Sequence, residues 1–225
     1  MAKAFTRQPY RDSLSAVKTW RRALICGPAA VVLGCTRLID GSALPPLAPL
    51  VPDGAVHVGR LMLDTPRMRA ITGTGEELTI IPTMDSTGPV DIDGLAATVP
   101  PPCRFIYAET TVFGTEHTQF HKTTYQYPPR GALISEAAAA YPDPESARRA
   151  FDAVVAAVAE CADSPAGPGL VGDQTADEQF LHTRAGDCGR GYQLKSVVLL
   201  EVTHCGFSES IADLVLTNLA AGIPG

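Results

Sequence analysis

The stretch GYQLKSVVLLEVTHC, residues 191–205, decides the fold. Gly191 to Lys195 and Val197 to Cys205 read as two strands with only Ser196 between them. Val197-Val198-Leu199-Leu200 is a continuous apolar run, which a strand shows when both of its faces are covered. A covered strand belongs in the middle of a sheet, so the rest of the chain is read for what lies beside it and above it. Glu178 to Thr183 is a third strand on the amino-terminal side. Thr118 to Tyr127, rich in aromatic residues and threonine, and Leu133 to Ala140 flank the turn Pro128-Pro129-Arg130-Gly131 and form a hairpin.

Helices supply the cover. Asp143 to Glu160 is the clearest, with Asp143 as N-cap and Pro144 as its first residue. Ala147, Phe151, Val154, Val155 and Val158 recur at helical spacing and make one apolar face. Ser208 caps a last helix whose stripe is Ile211, Leu214, Val215 and Leu219, and Gly222 and Pro224 stop it. In Asp64-Thr65-Pro66, Thr65 is the expected cap and Pro66 the first position of a short helix ending at Gly73. Leu78 to Ile81 reads as a strand, Thr83 to Pro102 as a long mobile loop, and Phe105 to Phe113 as either a strand or a short helix. Elements that mostly join sequential neighbours indicate an α+β fold, an antiparallel sheet flanked by helices.

The amino-terminal segment reads as an export signal. Arg21-Arg22 precede an apolar stretch, Ala23 to Gly34, that is shorter than the ~20 residues a membrane-spanning helix needs. It ends in Val32-Leu33-Gly34-Cys35, which resembles a bacterial lipobox. That resemblance implies cleavage before Cys35 and palmitate-type lipidation of its thiol. The expected organisation is a lipoprotein signal peptide (1–34), a lipidated Cys35 with a proline-rich tether (35–56), and one domain (57–225). The tether carries Pro45, Pro46, Pro49 and Pro52, a composition that makes extended spacers. The expected location is the extracytoplasmic side of the cell membrane, held there by the anchor on Cys35.

Charge narrows the partners. The chain has 18 basic and 24 acidic residues, and residues 1–34 hold six of the basic and one of the acidic, leaving a net charge of −11 after cleavage. Nucleic acid is excluded, since binding it needs clustered Lys and Arg, and so is electrostatic adhesion to anionic lipid. Cys103, Cys161, Cys188 and Cys205 remain after Cys26 leaves and Cys35 is acylated. Four cysteines in an exported domain imply two disulfides in one of three pairings. Cys103–Cys161 and Cys188–Cys205 are favoured: the first pins the end of the long helix, and the second links neighbouring antiparallel segments. Zinc is disfavoured because no C-x₂-C pair occurs.

No catalytic motif stands out. Ser135, Ser196, Ser208 and Ser210 lack a nucleophile elbow. His117 and His121 sit in a strand-like segment rather than on one helical face, and His182 and His204 read as structural. Asp85, Asp91 and Asp93 do not match a calcium loop. No metal and no cofactor is expected.

Several segments, taken in order, resemble the PknH-like extracellular sensor domain family. They are Leu63-Asp64-Thr65-Pro66 to Gly73, Pro100-Pro101-Pro102-Cys103, the helix ending at Cys161, and Val197 to Phe207 with the terminal helix and Ile223-Pro224-Gly225. Such domains occur outside the membrane on mycobacterial receptor Ser/Thr kinases and alone on lipoproteins. The resemblance implies a twisted antiparallel sheet flanked by helices, two disulfides, and a cleft for a ligand of unknown identity. It carries no catalytic residues. The leading expectation is therefore a lipid-anchored module binding a small molecule, lipid or cell-wall fragment. The alternative is a lipoprotein that docks on another envelope protein, with an envelope hydrolase third.

Overall fold

Seven strands form one open antiparallel sheet in the order β1-β2-β3-β7-β6-β5-β4. The computed structural model describes residues 56–224, so the leader, Cys35 and nearly all of the tether lie outside the described residues. In chain order the elements are α1 (Thr65–Thr72), β1 (Thr79–Ile80), α2 (Asp93–Ala96), α3 (Glu109–Phe113), β2 (Gln119–Tyr127), β3 (Ala132–Ala140), α4 (Pro144–Ala162), α5 (Gly167–Leu170), β4 (Asp173–Ala176), β5 (Phe180–Ala185), β6 (Cys188–Lys195), β7 (Val198–Cys205) and α6 (Glu209–Ala221). Among the described residues no helix is long and apolar enough to cross a membrane.

The covered strand is central, as its apolar run required. Val198, Leu199 and Leu200 are fully buried, and β7 pairs with β3 on one side and β6 on the other. Two hydrophobic cores follow from the alternation of side chains across the pleat. On one face Ile134, Ala138, Leu200 and Val202 pack with α6 and with Leu61, Leu63 and Met68 of the amino-terminal segment. On the other face Ala137, Ala139, Leu199 and Leu194 pack with Phe151, Val154 and Val158 of α4. The alanines of β3 keep both surfaces shallow, so helices approach closely on either side.

Helix ends follow local chemistry. Asp143 accepts from the Ser146 amide at 2.8 Å, with Pro144 at the first position of α4. At α1 the cap is Asp64 rather than Thr65: its carboxylate accepts from the Arg67 amide at 2.9 Å, so Thr65 is the first helical residue and Pro66 the second. A carboxylate is a charged acceptor at the positive end of the helix, and it displaces the hydroxyl one residue later. Gly73 takes the left-handed conformation (φ 65°) that ends α1. In α6 the buried stripe is Ala212, Val215, Leu216, Leu219 and Ala220, and Leu214 faces solvent at 51% exposure.

Three further differences concern irregular segments. Residues 83–102 are not a plain loop: they contain α2, a one-turn 3₁₀ segment (Pro82–Met84), and bridges from Ser86 to Lys122 and from Asp91 to Ala108. Phe105 to Phe113 is helical, split between a 3₁₀ segment (Pro101–Ile106) and α3. Edge strand β4 is exposed throughout, so it has no apolar alternation to reveal it.

Both disulfides form with the favoured pairing, Cys103–Cys161 and Cys188–Cys205. Their sequence separations are 58 and 17 residues. In the chain-entropy account such loops contribute about 4 and about 3 kcal/mol, a large share of the stability of an ordinary domain.

One buried carboxyl stands out. Glu136 is fully buried on the α6 side of β3. Its Oε1 accepts from the Leu63 amide at 2.8 Å, while Oε2 has no partner. Tyr125 Oη donates to the Leu63 carbonyl at 2.6 Å, so this one residue of the amino-terminal segment is held at both polar atoms. Burial pushes the Glu136 pKa from 4.5 up to about 8, against the smaller opposing effect of the Leu63 amide. The folded protein therefore retains a proton that the unfolded chain releases above 4.5. The stability from this group is complete below pH 4.5 and is lost as pH rises to about 8. Denaturant titrations of the native chain and Glu136→Gln should diverge across that window. The difference should grow with pH in favour of the variant, by up to about 5 kcal/mol for a shift of that size. Parallel curves would show that Glu136 is solvated in the folded state.

Candidate functional site

The α4-facing surface changes from apolar to polar along its strands, and the register aligns the changes. The row Phe120, Ala139, Leu199 and Leu194 is apolar throughout and belongs to the α4 core. The next row is Lys122, Ala137, Glu201 and Tyr192, and the next Thr124, Ser135, Thr203 and Arg190. The α4 core still takes in Ala137 and Tyr192 of the second row, while Lys122, Ser135, Glu201, Thr203 and Arg190 lie outside it. The uncovered part is the floor of a cleft of about 360 Å³, within the range of small-molecule sites.

The floor is a hydrogen-bonded network. Arg190 Nη1 donates to Glu201 Oε1 at 2.8 Å and to Thr203 Oγ1 at 3.2 Å, and the Thr203 hydroxyl donates to Glu201 Oε1 at 2.8 Å. The pair is largely enclosed, with side chains 18% and 9% exposed. Burial works against the Arg190 charge, but Tyr192 and Glu201 outweigh it and hold its pKa above the usual guanidinium value. Ser135 Oγ lies 2.9 Å from Thr124 Oγ1. At the β2 side, Lys122 Nζ pairs with Glu109 Oε1, whose second oxygen accepts from the Val90 amide at 2.8 Å.

The walls come from the segments the sequence left irregular. Phe105, Ile106 and Tyr107 form one wall, and Thr83, Met84, Ser86, Val90 and Ile92 the other. The first is tied down twice. Cys103 joins it to the last turn of α4 at Cys161, and the Ile106 carbonyl accepts from Arg190 Nη2 at 2.9 Å. The second wall is latched to α3: Asp91 Oδ1 accepts from the Thr110 amide at 3.0 Å, and the Ile92 amide donates to the Tyr107 carbonyl at 2.8 Å. Leu133 borders the floor beside Cys205, where Cys188–Cys205 staples β6 to β7.

The other residues singled out in the sequence do not converge. His121 Nε2 lies 3.1 Å from Asp85 Oδ1, on the opposite face from the cleft floor, and His117 packs beside Phe120. His182 lies 3.7 Å from Asp213, and His204 Nδ1 meets the Phe207 carbonyl at 3.0 Å. Asp93 sits in the first turn of α2. Ser196 occupies the β6–β7 turn at φ 55°, and Ser208 and Ser210 bond each other. Among the described residues no group of three or more His, Cys, Asp or Glu is placed to hold a metal. Of the serines singled out in the sequence only Ser135 lines the cleft. Lys122, Arg190, Glu201 and Glu109 went unnoticed as a set because they are far apart in sequence. For the three strand residues the one signal is a polar side chain where the inward row should be apolar, legible once the register is known; Glu109, in α3, carries no such signal.

The Arg190–Glu201 pair should behave as a unit. Breaking a buried pair leaves an uncompensated charge, whereas replacing both partners is much cheaper. Arg190→Met and Glu201→Gln singly should each cost about 2–4 kcal/mol in urea unfolding, and Arg190→Met/Glu201→Gln distinctly less than their sum. Strict additivity would show that the two groups are independent.

No curated protein sequence matches the chain. The fold is similar to the crystal structure of the extracellular domain of PknH from Mycobacterium tuberculosis, with a TM-score of 0.57 and 14% identity over 73% of this chain and 93% of that one. Residues 54–221 match the family described as the PknH-like extracellular domain. With three quarters of its length covered by that match, the chain belongs to the PknH-like extracellular domain family.

Proposed function

We propose that this protein is a lipid-anchored module of the cell envelope whose cleft binds a small molecule, lipid or cell-wall fragment. The observation that carries the reading is the cleft itself: a polar floor with a buried ion pair, apolar walls, and a volume of about 360 Å³. A few fixed polar groups set in apolar surroundings are what orient and retain a small ligand. Arg190 is bonded to floor and wall together, so the cleft is held open in the folded state rather than assembled around its occupant. Membership of an extracellular domain family supports a position outside the cytoplasm. The anchor on Cys35 and the tether to residue 56 would then hold the domain near the bilayer. Binding without chemistry fits the floor, whose charged groups are engaged with one another.

Docking on an envelope protein is the weaker reading. The exposed apolar residues Val90 and Ile92 border the cleft instead of forming a patch away from it. Native mass spectrometry of protein extracted from its own envelope separates the two. The expected result is an acyl mass on Cys35, absent in Cys35→Ser, and a stoichiometric small molecule on the domain. A co-purifying polypeptide with no small molecule would overturn the ligand reading, and an unmodified Cys35 would overturn the anchor.

A further inference from the structure

The charges in the cleft cancel in pairs, and that constrains what fits. Four ionisable side chains line it: Lys122 and Arg190, Glu109 and Glu201. Lys122 is paired with Glu109 and Arg190 with Glu201, so the site carries no net charge to draw an ion. Three Arg190 donor bonds go to Glu201, Thr203 and the Ile106 carbonyl, which fix the guanidinium against floor and wall. Glu109 accepts from Lys122 and from the Val90 amide, so its carboxylate is not free for a cation. An incoming charge would lose its hydration without gaining an unpaired counter-charge, which is costly in so enclosed a site. Beside the paired charges the lining offers hydroxyls: Ser135 and Thr203, each already bonded within the floor, and Thr83 and Tyr107, which have no side-chain bond among the described residues.

The apolar part of the lining is not sealed. Val90 and Ile92 line the cleft and are also 52% and 48% exposed. Leu95, in the first turn of α2 just beyond Ile92, is 45% exposed. These three are among the four large apolar side chains left exposed among the described residues, and two of them line the cleft. Such an apolar track suits a chain longer than the cavity is deep.

We infer that the cleft takes an uncharged, single-chain amphiphile, with its hydroxyl- or ester-bearing head among the hydroxyls that line the cleft and its hydrocarbon chain leaving along Val90 and Ile92. The inference rests on the cleft being a ligand site and adds the chemical class. It excludes free phosphates, carboxylates and quaternary ammonium compounds as preferred occupants.

Calorimetric titration of the full chain with three twelve-carbon probes tests this, each below its micelle-forming concentration: 1-monolauroylglycerol, laurate and dodecyltrimethylammonium. The monoglyceride should bind at least about tenfold more tightly than either charged probe. Val90→Ser, at an exposed position, should weaken it by about threefold or more. Glu201→Gln uncovers the Arg190 charge and should bring laurate at least level with the monoglyceride, a change of preference that loss of packing alone would not produce. If a charged probe binds the native chain as well as the monoglyceride does, and Val90→Ser weakens it, the uncharged class is wrong and the cleft remains the site. If none of the three binds, the amphiphile class is wrong, while the envelope extraction judges the cleft on its own.

Discussion

Everything on either face of this protein takes its position from the pairing of β3 with β7. Eight residue pairs, from Leu133 with Cys205 to Ala140 with Val198, run along the centre of the sheet. A slip of one residue would exchange the faces. Glu201 would then leave Arg190, Glu136 would move onto the α4 side, and the alanines that admit the helices would lie under the wrong partners. The continuous apolar start of β7 makes that register costly to change, because Val198 to Leu200 are buried on both sides. The cleft is thus a consequence of where α4 ends over a sheet whose inward rows turn from apolar to polar.

Staples convert this floor into a site with walls. The Cys103–Cys161 bridge fixes a 3₁₀ segment that has little secondary structure of its own to hold it, and Arg190 then joins that segment to the strands. On the far side, Asp91 and Glu109 hold the Ser86–Ile92 strand-like segment against α3 and β2. The polar side chains are used in mutual contacts that shape the cavity. That is why a network with two cations and two anions offers a nearly neutral surface to whatever enters it.

The sequence made some of this legible and hid the rest for definable reasons. Helix α4 declared itself through Asp143-Pro144 and a 3.6-residue apolar period, and β7 through an apolar run too short and too β-branched for a helix. The disulfide pairing followed from the expected adjacency of β6 and β7. By contrast, β4 has no buried face, and the cleft walls are built of one-turn helices and isolated bridges that leave no period. Thr65 lost the cap to Asp64 because one local hydrogen bond decides between adjacent candidates. Leu214 was misplaced because leucine at near-helical spacing looks buried whether or not it faces the sheet. Lys122, Ser135, Arg190 and Glu201 come together only through the pairing register, which no single segment records.

The central claim is that the cleft bounded by Phe105, Val90 and Arg190 is where this extracellular domain meets its ligand. A photo-crosslinking amino acid in place of Thr83, which is exposed and lines the cleft, tests it in the native envelope, with the exposed Thr217 on α6 as the control position. The expected result is an adduct of lipid size at Thr83 and none at Thr217. A polypeptide captured at Thr83, or the same small adduct at both positions, would contradict it.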